Sequence, residues 1–114
     1  MSVQTEIQAI LAPLATGGAW NLRAPQMPVF PYIVWQRISD QPDVTLGHGV
    51  AIRNARIQVD AYASTYPAAQ AINEAVEAAL LASATFKAVP GLCQDLYEDD
   101  PALYRISQDF SVWA

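Results

Sequence analysis

One cysteine, one histidine and six basic residues are all that these 114 residues hold of the groups most used in covalent, metal and phosphate chemistry. A single cysteine closes no disulfide within the chain, and a reducing cytoplasm is the default setting. The single histidine, His48, needs a second ligand or an orienting carboxylate before it can serve a metal or a catalytic step. Six bases against eleven acids give a net charge of -5, which argues against wrapping nucleic acid, a task that needs Lys and Arg to neutralise phosphates. No apolar run approaches the roughly 18 residues that span a bilayer. The N-terminus lacks the basic start and apolar segment of a signal peptide, so a soluble, unexported product with no membrane partner is expected. There is no internal repeat and no low-complexity segment.

A chain of this length is expected to form one domain, 1–114, and to bury about two-thirds of its unfolded surface. Of its apolar residues 20 are alanine, so the core of large side chains is smaller than the apolar fraction implies. The charges are separated along the chain. Arg23, Arg37, Arg53 and Arg56 lie in the first half, and eight of the eleven acids lie from Asp60 onward. A molecule with separated signs can meet copies of itself head to tail.

The C-terminal third is the most strongly patterned stretch. Tyr104, Ile106, Phe110 and Val112 share one face, interrupted only by Gln108, while Arg105, Ser107, Asp109 and Ser111 share the other. Period-two alternation predicts a strand with one face on a core. Glu98-Asp99-Asp100-Pro101 predicts the turn joining it to a strand that starts at Leu92 after Gly91, because short acidic side chains bond nearby backbone and proline fixes φ. Nearer the N-terminus, Val3, Ile7, Ile10, Leu11 and Leu14 recur at helical spacing, predicting a helix over Ser2–Leu14 that Ser2 caps and Gly17-Gly18 ends. Pro25, Pro28 and Pro31 make 19–31 an irregular connector, with Trp20, Met27 and Phe30 expected to pin it by packing.

Tyr32–Ser39 and Ala51–Ala63 read as strands. If Tyr32, Val34 and Ile38 face the core, then Ile33, Trp35 and Arg37 face away, and Ile33 and Trp35 require a cover, either a helix or another subunit. In the second strand Ala55, Ile57, Val59 and Ala61 take one face. Arg56, Gln58, Asp60 and Tyr62 take the other, where Arg56 and Asp60 could be bridged from a neighbouring strand or serve an interface. Ser64-Thr65 predicts the cap of a second helix with an apolar stripe of Ala69, Ile72, Val76, Ala79 and Leu80.

Between these strands, Asp40–Val50 reads as a loop longer than a tight hairpin needs. It contains Asp40, Asp43, Leu46, Gly47, His48 and Gly49, and loops of this length in compact domains tend to be functional or disordered. His48 reads as an exposed loop histidine and Cys93 as a buried structural thiol. Glu98-Asp99-Asp100 lacks the alternating oxygen ligands and glycine of a calcium loop and reads as a solvated turn. With no phosphate loop, paired histidines or nucleophile elbow, the residues point to a binding or structural protein without catalysis or cofactor. The rival reading, a small hydrolase using Cys93 and His48, predicts loss of activity in Cys93→Ala.

Three blocks carry a family resemblance: Pro31-Tyr32-Ile33-Val34-Trp35-Gln36-Arg37-Ile38-Ser39-Asp40; Arg56-Ile57-Gln58-Val59-Asp60-Ala61-Tyr62-Ala63; and Asp95–Asp99 with Leu103–Trp113. Together they resemble the tail-completion, or tail-terminator, family of long-tailed bacteriophages, a small domain also widespread in prophages. The resemblance implies an α+β fold, a mostly antiparallel sheet of about four strands flanked by two main helices. It further implies a hexameric ring on the head-proximal end of the tail tube, at the head–tail junction of the virion, built from subunits made in the host cytoplasm. Such a ring ends tube polymerisation, joins a head-side connector or stopper protein, and lets DNA pass through its channel without specific binding. It favours a subunit or helix cover for Ile33, Trp35 and Arg37, with Arg56, Asp60 and Tyr62 as further candidates for the subunit contact. The Asp40–Val50 loop is expected to reach either the channel or the tube. A neck or head-completion connector on the portal side is the structural alternative.

Overall fold

A computed structural model describes residues 3–23, 29–44, 51–83, 86–99 and 102–113. Helix α1 (Val3–Leu11) runs into a 3-10 turn (Ala12–Leu14) and is followed by a short strand β1 (Ala19–Asn21). Strands β2 (Tyr32–Val44) and β3 (Ala51–Ala63) lead to helix α2 (Tyr66–Leu81), and β4 (Lys87–Asp99) and β5 (Ala102–Trp113) complete the chain. The strands form one sheet in the order β1-β2-β3-β5-β4, antiparallel throughout except where β1 runs parallel to β2. The fold is therefore α+β with two helices, as expected, and the sheet has one strand more than the four read from the sequence. The extra one is β1, inside the expected connector.

Both helices lie on one face of the sheet. Ile7 and Leu11 from α1 and Val76 and Leu80 from α2 meet Ile33, Trp35, Ile57, Val59, Phe110 and Val112 in a single core. The expected alternation of β3 and β5 holds, with Ala55, Ile57, Val59 and Ala61 buried opposite Val112, Phe110, Gln108 and Ile106. Thr65 caps α2, its hydroxyl accepting from the Ala68 N–H at 3.4 Å, and Ala69, Val76 and Leu80 of the expected stripe are buried.

In β2 the expected facing is reversed. Ile33 and Trp35 point under α1 and are almost fully buried, whereas Ile38, expected inside, is exposed beside the bulge between Arg37 and Ser39. The cover anticipated for Ile33 and Trp35 is thus a helix of the same chain. A buried indole N–H needs an acceptor, and Trp35 finds one in Gln8 Oε1 at 2.7 Å, while Gln8 Nε2 donates to the Ala19 carbonyl at 2.8 Å. One α1 side chain so ties the helix to β1 and β2.

Three further expectations are corrected. The loop read over Asp40–Val50 is strand as far as Val44, because β2 and β3 stay in register out to Val44 opposite Ala51. The strand read from Leu92 after Gly91 begins at Lys87, and Gly91 lies at an irregularity within β4 between Pro90 and Cys93. Trp20 and Phe30, expected as pins, are substantially exposed, and Met27 lies outside the described residues. Phe30 nonetheless packs on Tyr32, and backbone adds to the hold: Gly17 N–H donates to the Pro31 carbonyl at 2.7 Å, and a Cβ on Gly17 would collide with the Val29 carbonyl oxygen. The acidic turn residues Asp100 and Pro101, like the cap residue Ser2, lie outside the described residues, but Asp99 pairs with Ala102 as a β4–β5 hairpin requires.

Candidate functional site

Among the described residues no helix lies on the second face of the sheet, and alternation puts there every residue that β3 does not send to the core. Tyr32 and Tyr62 are opposed in register and their rings stack, 4.8 Å apart and 5° from parallel, with Phe30 tilted against Tyr32 at 5.4 Å. Arg105, opposite Tyr62 on β5, lays its guanidinium 5.7 Å from the Tyr62 ring centre. Its Nη2 donates to Asp60 Oδ2 at 3.0 Å, and Gln58 Nε2 donates to Asp60 Oδ1 at 3.1 Å. The result is a continuous ladder from Phe30 through Tyr32, Tyr62 and Arg105 to Asp60 across β2, β3 and β5.

This arrangement decides the fate of the sequence candidates. Arg56, Asp60 and Tyr62 do share one face, as read, and the partner that reaches Asp60 from a neighbouring strand is Arg105. Arg56 and Arg37 are exposed. Ile33 and Trp35 are not on this surface at all. Of the loop candidates, Asp40 and Asp43 occupy β2 in the β2–β3 hairpin, and Leu46, Gly47, His48 and Gly49 lie outside the described residues. Sequence reading missed Arg105 as the partner of Asp60; the signal available was its position on the polar face of β5, the strand that proved to be β3's neighbour.

The Asp60–Arg105 pair is largely shielded, with side-chain exposures of 10% and 27%. Removing the carboxylate leaves a partly desolvated guanidinium whose Nε already lacks a partner. Asp60→Ala is expected to destabilise the chain by about 1–2 kcal/mol, the low side for a broken buried pair because water still reaches Arg105. Urea melts of Asp60→Ala, Arg105→Leu and the double variant check this: strictly additive losses would mean the two side chains are not coupled.

Cys93 corrects another expectation, since it is exposed on β4 and not buried. Its partial desolvation, with Asp95 and Glu77 nearby, pushes the thiol above its ordinary pKa, opposed only by a contact from Asn73. A nucleophilic cysteine needs the opposite environment. Tyr66 is likewise raised, chiefly because its hydroxyl donates to Asp95 at 2.9 Å. Among the described residues no group of three His, Cys, Asp or Glu side chains could hold a metal ion, and no helix is long and apolar enough to cross a membrane.

The most prominent geometric feature is the hairpin. Strand β5 pairs with β3 as far as Trp113 opposite Asn54, so among the described residues Pro42–Val44 and Ala51–Arg53 pair only with each other. At 3.3 Å per residue the described part of this arm projects about 10 Å beyond β5. The molecule measures 53 × 24 × 23 Å.

Comparison with known proteins sets these features in context. Residues 4–114 match the model of a family described as "Tail completion protein gp17". Among solved structures, the chain is similar to one in "Virion of native gene transfer agent (GTA) particle", with 17% identity over 96% of this chain and 87% of that one and a TM-score of 0.59. At that identity the likeness is one of fold. No curated protein sequence matches the chain.

Proposed function

The chain belongs to the tail completion protein gp17 family and is a structural protein of phage tails, and from this we propose that it closes into a hexameric ring at the head-proximal end of the tail tube. The ring ends tube growth and presents its other side to a head-side connector or stopper protein. DNA passes through its channel, and a net charge of -5 suits a passage that should not grip phosphates. Strong, salt-sensitive DNA binding by the assembled ring would count against that last point.

The observation that carries the reading is the arm of β2 and β3 standing clear of the sheet body. An extension whose outer rungs pair only within their own hairpin, among the described residues, is suited to reaching a neighbouring ring or the channel. Arg56 is exposed on the face of the sheet opposite the helices. A portal-side connector would share the sheet but would not cap tubes. The hydrolase reading has an exposed thiol in acidic surroundings against it.

Electron microscopy of the protein mixed with tail tubes tests this directly. Particles are expected at one tube end only, with solution mass rising from monomer toward the ring as concentration increases. A chain that stays solitary beside assembled tubes and decorates neither end refutes the proposal.

A further inference from the structure

The exposed apolar residues are not scattered. Trp20, Leu22, Val29 and Phe30 gather beside β1, and Val89, Leu92, Leu96 and Tyr97 lie along β4. These are the two opposite edges of the sheet. Leu22 is 68% exposed and held in a left-handed conformation (φ 73°) that a leucine adopts only at a cost, fixed by its N–H donating to the Trp35 carbonyl at 2.8 Å. An open cleft of about 760 Å³ between α1 and β1, lined by Gln8, Ala9, Ala12, Trp20 and Trp35, adds an apolar recess on the same side.

Strand β4 is the converse. It is a 13-residue edge strand with no neighbour beyond it among the described residues, and Leu92, 64% exposed, sits at its irregularity. A long apolar edge invites another strand unless charge forbids it. Asp95 lies on β4, and Glu77 of α2 is close enough to act on Cys93. Two β4 edges brought together would set these acids against each other; Lys87, at the strand's start, is their only basic neighbour in β4. The β1 side instead carries exposed Arg23 and Arg37. Charge thus disfavours β4 on β4 and favours β4 on the β1 side.

We propose that the β4 edge of one copy docks against the β1 side of the next copy, Leu92, Leu96 and Tyr97 meeting Trp20 and Leu22, with Asp95 facing Arg23 and Arg37. Two different patches at opposite edges make a heterologous contact, which repeats around a ring where an isologous one would stop at a dimer. The inference rests on the ring reading above and names the surface that closes it.

The lone cysteine is the probe. Asn21 on β1 and Cys93 on β4 both take positions on the helix-bearing side of the sheet, through their register with Trp35 and Gln108. Four strand spacings, about 19 Å, separate them within one copy, too far for a disulfide. Mild oxidation of Asn21→Cys at alkaline pH, under ring-forming conditions, is expected to give a ladder of linked copies whose joined peptides contain positions 21 and 93. The same variant with Cys93→Ser should lose that ladder. Leu92→Asp, at an exposed site, should raise the concentration needed for rings at least tenfold while melting at the parent temperature. Rings that form without the 21–93 link, and as readily in Leu92→Asp, place the contact elsewhere and leave the ring intact. If no ring forms at any concentration or on tubes, the ring reading itself fails and this contact with it.

Discussion

Trp35→Ala is expected to cost about 3–5 kcal/mol of folding stability, enough to leave much of the chain unfolded if its total lies at the low end of the ~5–15 kcal/mol usual for a domain. Trp35 is 2% exposed and is among the largest fully buried side chains. Its ring sits between α1 and the sheet, where Ile7, Leu11, Ile33 and Val59 belong to the same core. Truncation removes that contact and opens a cavity that α1 can close only by shifting. It also strips Gln8 of the indole N–H it accepts from, loosening the link that continues to the Ala19 carbonyl. Trp35→Phe separates the contributions: it keeps much of the packing, and its loss should be smaller, with about 1 kcal/mol from the hydrogen bond. Urea unfolding of the dilute monomer decides the matter. A Trp35→Ala monomer as stable as the parent, but unable to assemble, would return this residue to the subunit contact where sequence reading placed it.

That reversal shows where the sequence was legible and where it was not. In β3 and β5, central in the sheet, one face is packed and the other carries charge, so alternation alone assigns Ile57, Val59, Phe110 and Val112 to the core. In β2 both faces are apolar or aromatic: Tyr32 and Val34 on one, Ile33 and Trp35 on the other. Periodicity cannot choose between two such faces. The deciding facts are nonlocal, the crossing of α1 and the stacking of Tyr32 on Tyr62. Strand β1 was illegible for a related reason. Three residues among prolines carry no pattern, and their pairing depends on Ile33 to Trp35 lying alongside. The Gln8 and Arg105 bridges follow from strand order and helix placement, which composition and spacing do not contain. Cys93 reads as buried because the residue types of an edge strand resemble those of a buried one, and β4 is an edge among the described strands.

Replacing residues 42–53 with Asn-Gly, so that Gln41 turns directly into Asn54, is expected to abolish tail joining while sparing the fold. Gln41 and Asn54 are already opposed in register, and Asn-Gly suits a two-residue hairpin turn. Among the described residues the excised rungs pair with neither β1 nor β5, since β1 pairs only as far as Trp35 and β5 only as far as Asn54. Monomer stability should therefore change by about 1 kcal/mol or less, the usual scale away from a core. Binding to tail tubes should weaken by about a hundredfold or more, roughly the 2.7 kcal/mol that a central interface anchor carries. Two intermediate results separate the destinations open to the arm. If the shortened chain still forms rings that no longer hold tubes, the arm is the tube contact. If its rings cap tubes but the joined particles fail to pass DNA, the arm reaches the channel. Only if rings form, tubes are capped and particles deliver DNA as before is the projection filler, because a hairpin that touches no partner has no role in assembly.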